Sequence, residues 1–311
     1  MKKIALLLSV AFISISMMAQ NADLKLNLEK NKTYRFKAVS DQNVSQTVNG
    51  VDQTTTTSSN STFSIKMMDA TADFIVAEVK FDTIITTTNT MGKTVKISSA
   101  NEGNIASEEA GDVMSSVMNR LSKNALYVKL YKSGKVIDIV NLAMLRDIIL
   151  KDTNAISAKL APMLKPQIKS MVTLDAFKTM IHTFTYNLPA KQVSVGEQWN
   201  ITVPINSGGL SLEVITNYKL GSIKDNAAAI VAESEVKAAE NAAPLEYPGA
   251  KITYDGIKGM GKSDMKINIL TGLTIESTAK MTMNGDLNVN ASGMSMQIPM
   301  KITSESSIKS L

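Results

Sequence analysis

The sequence predicts a mainly β protein with some α-helix (α+β), built from two similar antiparallel curved-sheet units, residues 20–141 and 190–311, that a helical linker joins. Three observations lead to this fold class. Much of the chain alternates polar and apolar residues between turn signals, which is the period of a half-buried antiparallel strand. Three short segments recur in the same order in both halves, and between the halves apolar residues return at helical spacing.

The N-terminus has the pattern of a secretory signal peptide. Two lysines precede an apolar run from residue 4 to 15, and a small residue, Ala19, ends the segment. We predict that residues 1–19 are removed, with cleavage after Ala22 as the alternative. No later stretch is long and apolar enough for a membrane-crossing helix, so we expect no transmembrane span in the mature chain.

The first predicted β-rich unit, residues 20–141, includes one short helix. Two of its runs, 54–62 and 84–90, are long, β-branched and hydroxyl-rich, which indicates strands with one face toward water. Between residues 107 and 124 the apolar spacing becomes helical, which predicts an amphipathic helix across one face of the sheet. The apolar residues of this helix are Val113, Met114, Val117, Met118 and Leu121.

Residues 142–189 form the predicted helical linker. Asn141 and Thr173 are placed to cap helices, because their side-chain oxygens accept hydrogen bonds from the first free backbone amides. Pro162 and Pro166 predict breaks, since proline removes a backbone donor and clashes with the preceding turn.

An internal similarity indicates that the two units are copies of each other. Residues 28–36 and 193–201 share an apolar start, an Asn or Gly turn and an aromatic residue at the start of a strand. We therefore expect Tyr34 and Trp199 to begin equivalent strands and to pack under the helices. A period this long excludes a solenoid of short repeats. The further matches are 63–78 with 218–233, which both contain Val-Ala-Glu, and 128–138 with 266–276.

Glycine marks the predicted turns. Asn-Gly pairs at 49–50 and 284–285 favour two-residue hairpin turns, and Gly92 and the pair 208–209 predict two more. The segment 256–263 matches the phosphate-binding pattern GxxxxGK[ST], but the residues after it alternate like a strand instead of starting the helix that such a site needs. We interpret it as a glycine-rich loop entering a hairpin, and we expect no cofactor.

Composition excludes several classes of site. The chain has no Cys and one His, which removes thiolate nucleophiles, Cys-ligated metals and sites with two imidazoles. The 33 basic and 28 acidic residues form no basic patch interleaved with aromatics, so nucleic acid is not an expected partner. His182 lies in a helical run with no nucleophile motif to use it, and we interpret it as structural. The sequence therefore predicts no catalytic residue, no metal site and no enzyme.

Methionine is in clear excess. The 19 methionines outnumber seven Phe, seven Tyr and one Trp together. Thioether side chains adapt to irregular apolar surfaces, so they either fill a core or line a hydrophobic groove. If such a groove exists, its expected ligand-binding residues are Met114, Met118, Met281, Met283, Trp199 and Tyr34.

The strand opener L-x-x-N/G-x-x-Y/W and the Val-Gly-Glu-Gln-Trp segment at Val195–Trp199 carry a family resemblance. Together with a leader that ends in Ala-Gln, they resemble an uncharacterised family of secreted β-rich proteins of Bacteroidota, a domain of unknown function. The resemblance implies an exported β-rich protein and supplies no catalytic residue. The predicted architecture is also similar to periplasmic lipoprotein carriers, which are half-barrels lidded by helices.

These observations predict an exported, non-enzymatic protein of the cell envelope that binds or carries a hydrophobic or lipidic ligand. The alternative is a structural or protein-interaction module whose strand edges pair with another envelope protein. Both hypotheses place the protein in the periplasm, on the outer-membrane surface or outside the cell. An apolar cavity would favour the first, and a flat packed interior with a long uncovered edge strand would favour the second.

The mature N-terminus tests the leader prediction. Export of the full chain should yield a protein that begins at Gln20, because signal peptidase cleaves after small residues. Intact mass and N-terminal sequencing measure this directly. A chain that begins at Asp23 would select the alternative cleavage site, and an exported chain that retains Met1 would contradict the signal peptide.

Overall fold

The computed structural model describes residues 21–48, 50–207, 210–240, 244–247, 250–291 and 294–311, so the predicted signal peptide lies outside the described residues. The strands are β1 Asn21–Leu24, β2 Thr33–Val48, β3 Val51–Ala70, β4 Phe74–Thr90, β5 Lys93–Ser98, β6 Leu126–Tyr131, β7 Val136–Ile139, β8 Lys191–Ser194, β9 Gln198–Ser207, β10 Leu210–Lys224, β11 Ala227–Ala238, β12 Leu245–Tyr247, β13 Ala250–Asn268, β14 Thr274–Ala291 and β15 Met294–Ser310. The helices are α1 Ala110–Lys123, α2 Leu142–Leu150, α3 Ala161–Met171 and α4 Leu174–Thr185, with a 3-10 turn at Thr153–Ala155.

Most strands belong to one large antiparallel sheet, so the mainly β class with helices is confirmed. The order is β7-β6-β4-β3-β2-β15-β14-β13-β11-β10-β9, with β5 beside β4 and β12 beside β13, while β1 and β8 pair separately. β2 pairs with β15 from Phe36 opposite Ser310 to Gln46 opposite Met300. Apart from β1 and β8, the strands of residues 20–141 and 190–311 therefore share a single sheet, and their origin by duplication stays a prediction.

Two hairpin turns fall at predicted glycines and one predicted turn does not form. β2 and β3 are joined by a turn that contains Gly50, at φ 77°, and β4 and β5 are joined across residues 91–92. The predicted turn at 208–209 lies outside the described residues. Positive φ angles of 50° and 78° at the two residues of the β4–β5 turn are those of a type I′ turn, whose twist matches the strands. The predicted turn at 284–285 is wrong, because β14 runs through it without a break.

The glycine-rich segment 256–263 is a strand, so its interpretation as a loop is wrong. It lies inside β13 and pairs with β14 on one side and β11 on the other. No helix follows it, since β13 continues to Asn268. Gly256, at φ 59°, occupies a β-bulge between Asp255 and Lys258, where left-handed backbone strains glycine least.

One of the two predicted helix caps is confirmed. The Thr173 Oγ1 accepts a hydrogen bond of 3.1 Å from the Ala176 amide at the start of α4. Asn141 does not cap α2, because its side chain is hydrogen-bonded to backbone groups at the start of β6 instead. At Pro162 the linker is interrupted as predicted, because α3 begins there and a proline in the first turn costs no helical hydrogen bond. The predicted break at Pro166 is wrong, because this proline lies within α3.

The sheet has two faces of different character. One, which we call the core face, carries side chains such as Phe63, Ile65 and Val79, which are buried in the main core. The other, the outer face, carries the residues between them, such as Lys66 and Lys80. Because successive side chains alternate between faces and paired residues share one, the register assigns each residue of the sheet to a face.

The helices cover one end of the core face and form the main core there. Met114 and Met118 of α1 are buried in it, and Phe184 of α4 packs on Phe63 with ring centroids 4.2 Å apart. Each such buried apolar side chain stabilises the fold by about 1.5–3 kcal/mol relative to an exposed one. The fully buried contributions of α2, α3 and α4 are Leu145, Ile149, Leu164, Ile168, Phe177 and Ile181.

Helix α4 contacts both ends of the eleven-strand order, β7 and β9. The Val136 amide of β7 donates a hydrogen bond of 2.9 Å to His182 Nε2, and Thr185 Oγ1 donates one of 2.7 Å to the Gly134 carbonyl. A flat sheet of eleven strands would hold its edges about 48 Å apart. A 12-residue helix is about 18 Å long, so the sheet must curl strongly for both edges to reach it.

The contact between His182 and β7 predicts a pH dependence of stability. Burial, with Lys178 and Lys135 nearby, lowers the pKa of His182 from 6.5 to about 4. The neutral acceptor therefore contributes fully above about pH 6.5, and its contribution is lost as the pH falls toward 4, because the unfolded chain binds the proton more tightly. His182→Gln keeps an acceptor and removes the titration.

We expect the difference in unfolding free energy between wild type and His182→Gln to shift in favour of the variant between pH 7.5 and 4.5. Urea denaturation of both proteins at several pH values measures this difference. Because the carboxylates titrate equally in the two proteins, their contribution cancels when one unfolding free energy is subtracted from the other. A difference that is constant over this range would contradict the prediction.

Candidate functional site

The long central strands extend past the helices, and a second apolar cluster lies on the core face of this extension. All its residues come from strands, so the curvature of the sheet buries this cluster without a helix. We call this region the uncovered core face. Its buried residues are Leu212, Val236, Ile257, Met283 and Met300, and the partly exposed ones around them are Val44, Ile205, Val214, Ala238, Tyr254, Leu287 and Ile302.

Alternation within single strands builds the cluster. In β14, Met283 and Leu287 are on the core face, whereas Asn284 and Asp286 between them are on the outer face. Opposite Met283 on β15 is Ile302, so neighbouring strands present apolar groups to the same side. The period of two in the sequence therefore becomes an apolar surface on one side of the sheet.

Glycines on the core face allow close packing in this cluster. A Cβ on Gly285 would lie 2.8 Å from Ile257 Cγ1 and 3.0 Å from Ile257 Cα. A Cβ on Gly259 would lie 3.1 Å from Met283 Cβ and 3.2 Å from Val236 Cβ. The missing side chains leave room for larger neighbours, which explains how a cluster without a helix above it becomes buried.

A ladder of hydroxyl groups borders the cluster on β3 and β4. Thr55 and Thr90 are hydrogen-bonded at 3.0 Å, Thr57 and Thr88 at 3.3 Å, and Ser59 and Thr86 at 3.4 Å. All six hydroxyls are on the core face, in register with Val44, Gln42 and Ser40 of β2. The uncovered core face is therefore apolar toward β9 and hydroxyl-bearing toward β4.

Small side chains separate the second cluster from the main core. Thr216 and Ser234 share a hydrogen bond of 2.8 Å, and Gly261 continues this row on β13. Met281 follows on β14, and 38% of its surface is exposed although it is on the core face. Because its neighbours are small, this row stays partly open to solvent.

The outer face carries the charges. Lys280 Nζ lies 2.7 Å from Glu305, and Lys266 Nζ lies 2.6 Å from Glu276, whose pKa the hydrogen bond from Lys266 holds below its usual range. Exposed pairs of this kind contribute little to stability, so their main effect is to keep this face solvated. A groove of about 590 Å³ is lined mainly by residues of this face that have polar side chains, Asp41 among them.

The structure divides the six predicted ligand-binding residues among three places. Met114, Met118 and Trp199 are buried in the main core, where Trp199 stacks on Tyr218 with centroids 5.5 Å apart. Tyr34 lines a depression of about 720 Å³ at the helix-covered end, and its hydroxyl accepts a hydrogen bond from the Glu29 amide. Met281 and Met283 are on the uncovered core face. Of the six, only these two methionines come together there.

Tyr34 and Trp199 do begin their strands at matching positions, each as the second residue. Their surroundings differ, because Trp199 is on the edge strand β9 and donates a hydrogen bond of 3.2 Å to the Asn187 carbonyl, while Tyr34 is inside the sheet beside Ile65. The hydroxyl ladder was missed as part of a site. Its signal was present in the Thr-rich runs, which we interpreted only as water-facing strands.

Tyr218 is an ionisable side chain of the core face that stays neutral. Burial raises the pKa of Tyr218 to about 12, against an opposing hydrogen bond with Thr216, so its phenol carries no charge at ordinary pH. In the described ranges, no three His, Cys, Asp or Glu side chains gather as metal ligands would. None of the helices described has the length and apolar character needed to cross a bilayer.

The close approach at Gly285 predicts a strict size limit. Gly285→Ala should lower the free energy of unfolding by about 1–3 kcal/mol, because the new Cβ overlaps the backbone and side chain of Ile257. Gly221→Ala is the matched control, since its Cβ would meet only the Ala229 carbonyl at 3.4 Å. Chemical denaturation of both variants measures the difference. Equal stability of the two would show that the cluster yields to the extra methyl.

Comparison with known proteins gives a family and distant structural neighbours. No curated protein matches the sequence. The solved structure of lipovitellin, titled for its lipid–protein interactions, superposes with a TM-score of 0.46 at 9% identity over 92% of this chain, and the chain spans about a quarter of its length. The match to OccK5 of Pseudomonas aeruginosa spans 90% of this chain and 98% of OccK5, with a TM-score of 0.25 and 6% identity. The match to OccAB4 of Acinetobacter baumannii spans 91% of this chain and 99% of OccAB4, with a TM-score of 0.21 and 8% identity. Residues 72–274 match a family model over more than half of the chain, which therefore belongs to the family of unknown function DUF6263.

Proposed function

We propose that this chain is an exported, non-enzymatic binding protein of the cell envelope that holds a lipid-like amphiphile on the uncovered core face. One observation carries the proposal: an apolar cluster and a hydroxyl ladder lie side by side on one partly open surface. An amphiphile has the same two parts, a chain that avoids water and a head that forms hydrogen bonds.

The energetics of this surface suit a lipid chain. Each methylene removed from water contributes about 0.8 kcal/mol, and partly exposed residues such as Val44, Ile302 and Met281 offer apolar contact without a rearrangement of the core. The flexible side chain of methionine can adapt its shape to an acyl chain that binds in more than one conformation. The hydroxyl groups of Thr57 and Thr88 can both donate and accept hydrogen bonds, so they can bind a head group that offers donors or acceptors.

The predicted leader supports the location in this proposal. Residues 1–19 have the charge and apolar pattern of a secretory signal, so the ligand-binding chain would act in the periplasm, at the outer-membrane surface or outside the cell. A protein there meets lipids that have to cross water between membranes. A carrier for a hydrophobic envelope molecule fits that location.

We further propose that the sheet arose by duplication of a five-strand unit. The order β7-β6-β4-β3-β2 is followed, after β15, by β14-β13-β11-β10-β9. The three pairs of similar segments are at corresponding strands of these two series. The helices between residues 142 and 185 would then be the linker that now braces both copies.

The alternative of a protein-interaction module that pairs through its strand edges has less support. Edge strand β9 contains Pro204, which cannot donate a backbone hydrogen bond to an added strand. The part of β15 that extends beyond its pairing with β2 contains Pro299 next to the last pair. These two segments are therefore poor templates for another strand.

Native mass spectrometry with solvent extraction tests the function first. The protein expressed from Gln20 onward, and the same protein exported in its own host, should carry a stoichiometric apolar adduct or take up an added fluorescent amphiphile. A bare mass from both sources together with no uptake of the probe would contradict the proposal.

Paired methionine variants locate the ligand. Met281→Asn on the core face should weaken binding of a fluorescent amphiphile about tenfold or more, because burial of a Met side chain is worth about 1.5–3 kcal/mol. Met260→Asn is the control, since Met260 is on the outer face with 78% of its surface exposed. Buried Trp199 reports by its fluorescence that both variants are folded. Equal loss in the two variants would place the ligand elsewhere.

A further inference from the structure

We propose that the ligand of the uncovered core face is an uncharged amphiphile, a single- or double-chain lipid whose head bears hydroxyl or amide groups and neither carboxylate nor phosphate. This inference rests on the proposed function and narrows it to a class of ligand. It follows from where the sheet places its charges.

The charges of the central strands all face the same way. Among the described residues of β2, β3, β9, β10, β11, β13, β14 and β15, every Lys, Arg, Asp and Glu falls on the outer face by register. On β15, for example, Lys301 and Glu305 are on the outer face and Ile302 and Ser304 are on the core face. A chain with 20% charged residues thus leaves a broad surface without charge.

The core face instead offers neutral polar groups next to its apolar cluster. Gln42, opposite Thr57 on β3 and Ser304 on β15, stands between the hydroxyl ladder and Met281. Gln46 pairs with Gln53 on the same face nearer the strand ends. Amides and hydroxyls supply donors and acceptors together, which matches a head group that has both.

A charged head would be unfavourable on this surface. An ion that is removed from water needs an opposite charge and several hydrogen bonds, and without them its transfer costs far more than the transfer of a neutral polar group. The lysines of the outer face cannot supply that charge, because the sheet lies between them and the ligand. The nearest cation of core-face register is Lys93, which pairs with Thr90 at the turn that ends β4 and is exposed to solvent.

Two ligands of equal chain length separate the possibilities. Calorimetry at pH 8 should show that a 1-monoacylglycerol binds at least tenfold more tightly than the corresponding fatty acid, whose carboxylate is ionised at that pH. Lys93→Gln should leave this ratio unchanged. Equal or tighter binding of the fatty acid would overturn the inference while leaving the proposed function in place. Binding of neither ligand, together with a bare mass, would instead contradict the proposed function itself.

A charge placed on either face provides the decisive control. Gln42→Lys puts a cation on the core face and should raise the affinity for the fatty acid at least tenfold while lowering or leaving unchanged that for the monoacylglycerol. Asn43→Lys adds the same charge one residue away on the outer face and should change neither affinity. Both positions are exposed, so neither variant disturbs the core. An equal gain of fatty-acid binding in the two variants would show that the head is not on the core face and would overturn the inference.

Discussion

The double contact of α4 with β7 and β9 is the interaction on which the rest of the structure depends. An open sheet of this width would expose two edges and one entire apolar face. Because the first and last strands of the order both contact one short helix, α4 holds the sheet in its strongly curved form. The hydrogen bonds of His182 and Thr185 to the β7 segment satisfy backbone groups that an edge strand would otherwise leave free.

The core face then has two regions, one that is buried by helices and one that is buried by the curved sheet alone. Near the helices, aromatic and aliphatic groups such as Phe63 and Phe184 pack as an ordinary core. Past the helices, the strands continue, and the sheet itself buries Val236 and Met283 with the help of glycines at 259 and 285. The region between the helices and the strand ends keeps small or hydroxyl side chains and stays partly open. A partly open surface, which we propose binds the ligand, therefore arises where the strands are longer than the helical layer that covers them.

Sequence reasoning succeeded where the signal was local. Alternation identified the strands, helical spacing identified α1, and the oxygen of Thr173 identified the start of α4. It failed at 256–263 and 284–285, where glycine was taken as a turn signal. There glycine serves close packing between strands inside a long sheet, and the contact that requires it comes from Ile257 or Val236, residues that no local pattern connects to it.

For the candidate site, residue type alone was a poor guide. Met114, Met118, Met281 and Met283 have the same chemistry, yet the main core buries the first two, the sheet buries Met283, and only Met281 stays partly exposed. The sequence by itself determined the two faces of each strand, including the charge-free one, because a period of two needs only the order of residues. Only the tertiary structure decided which part of that face is covered, because coverage depends on the register of distant strands and on α4 joining the ends of the sheet.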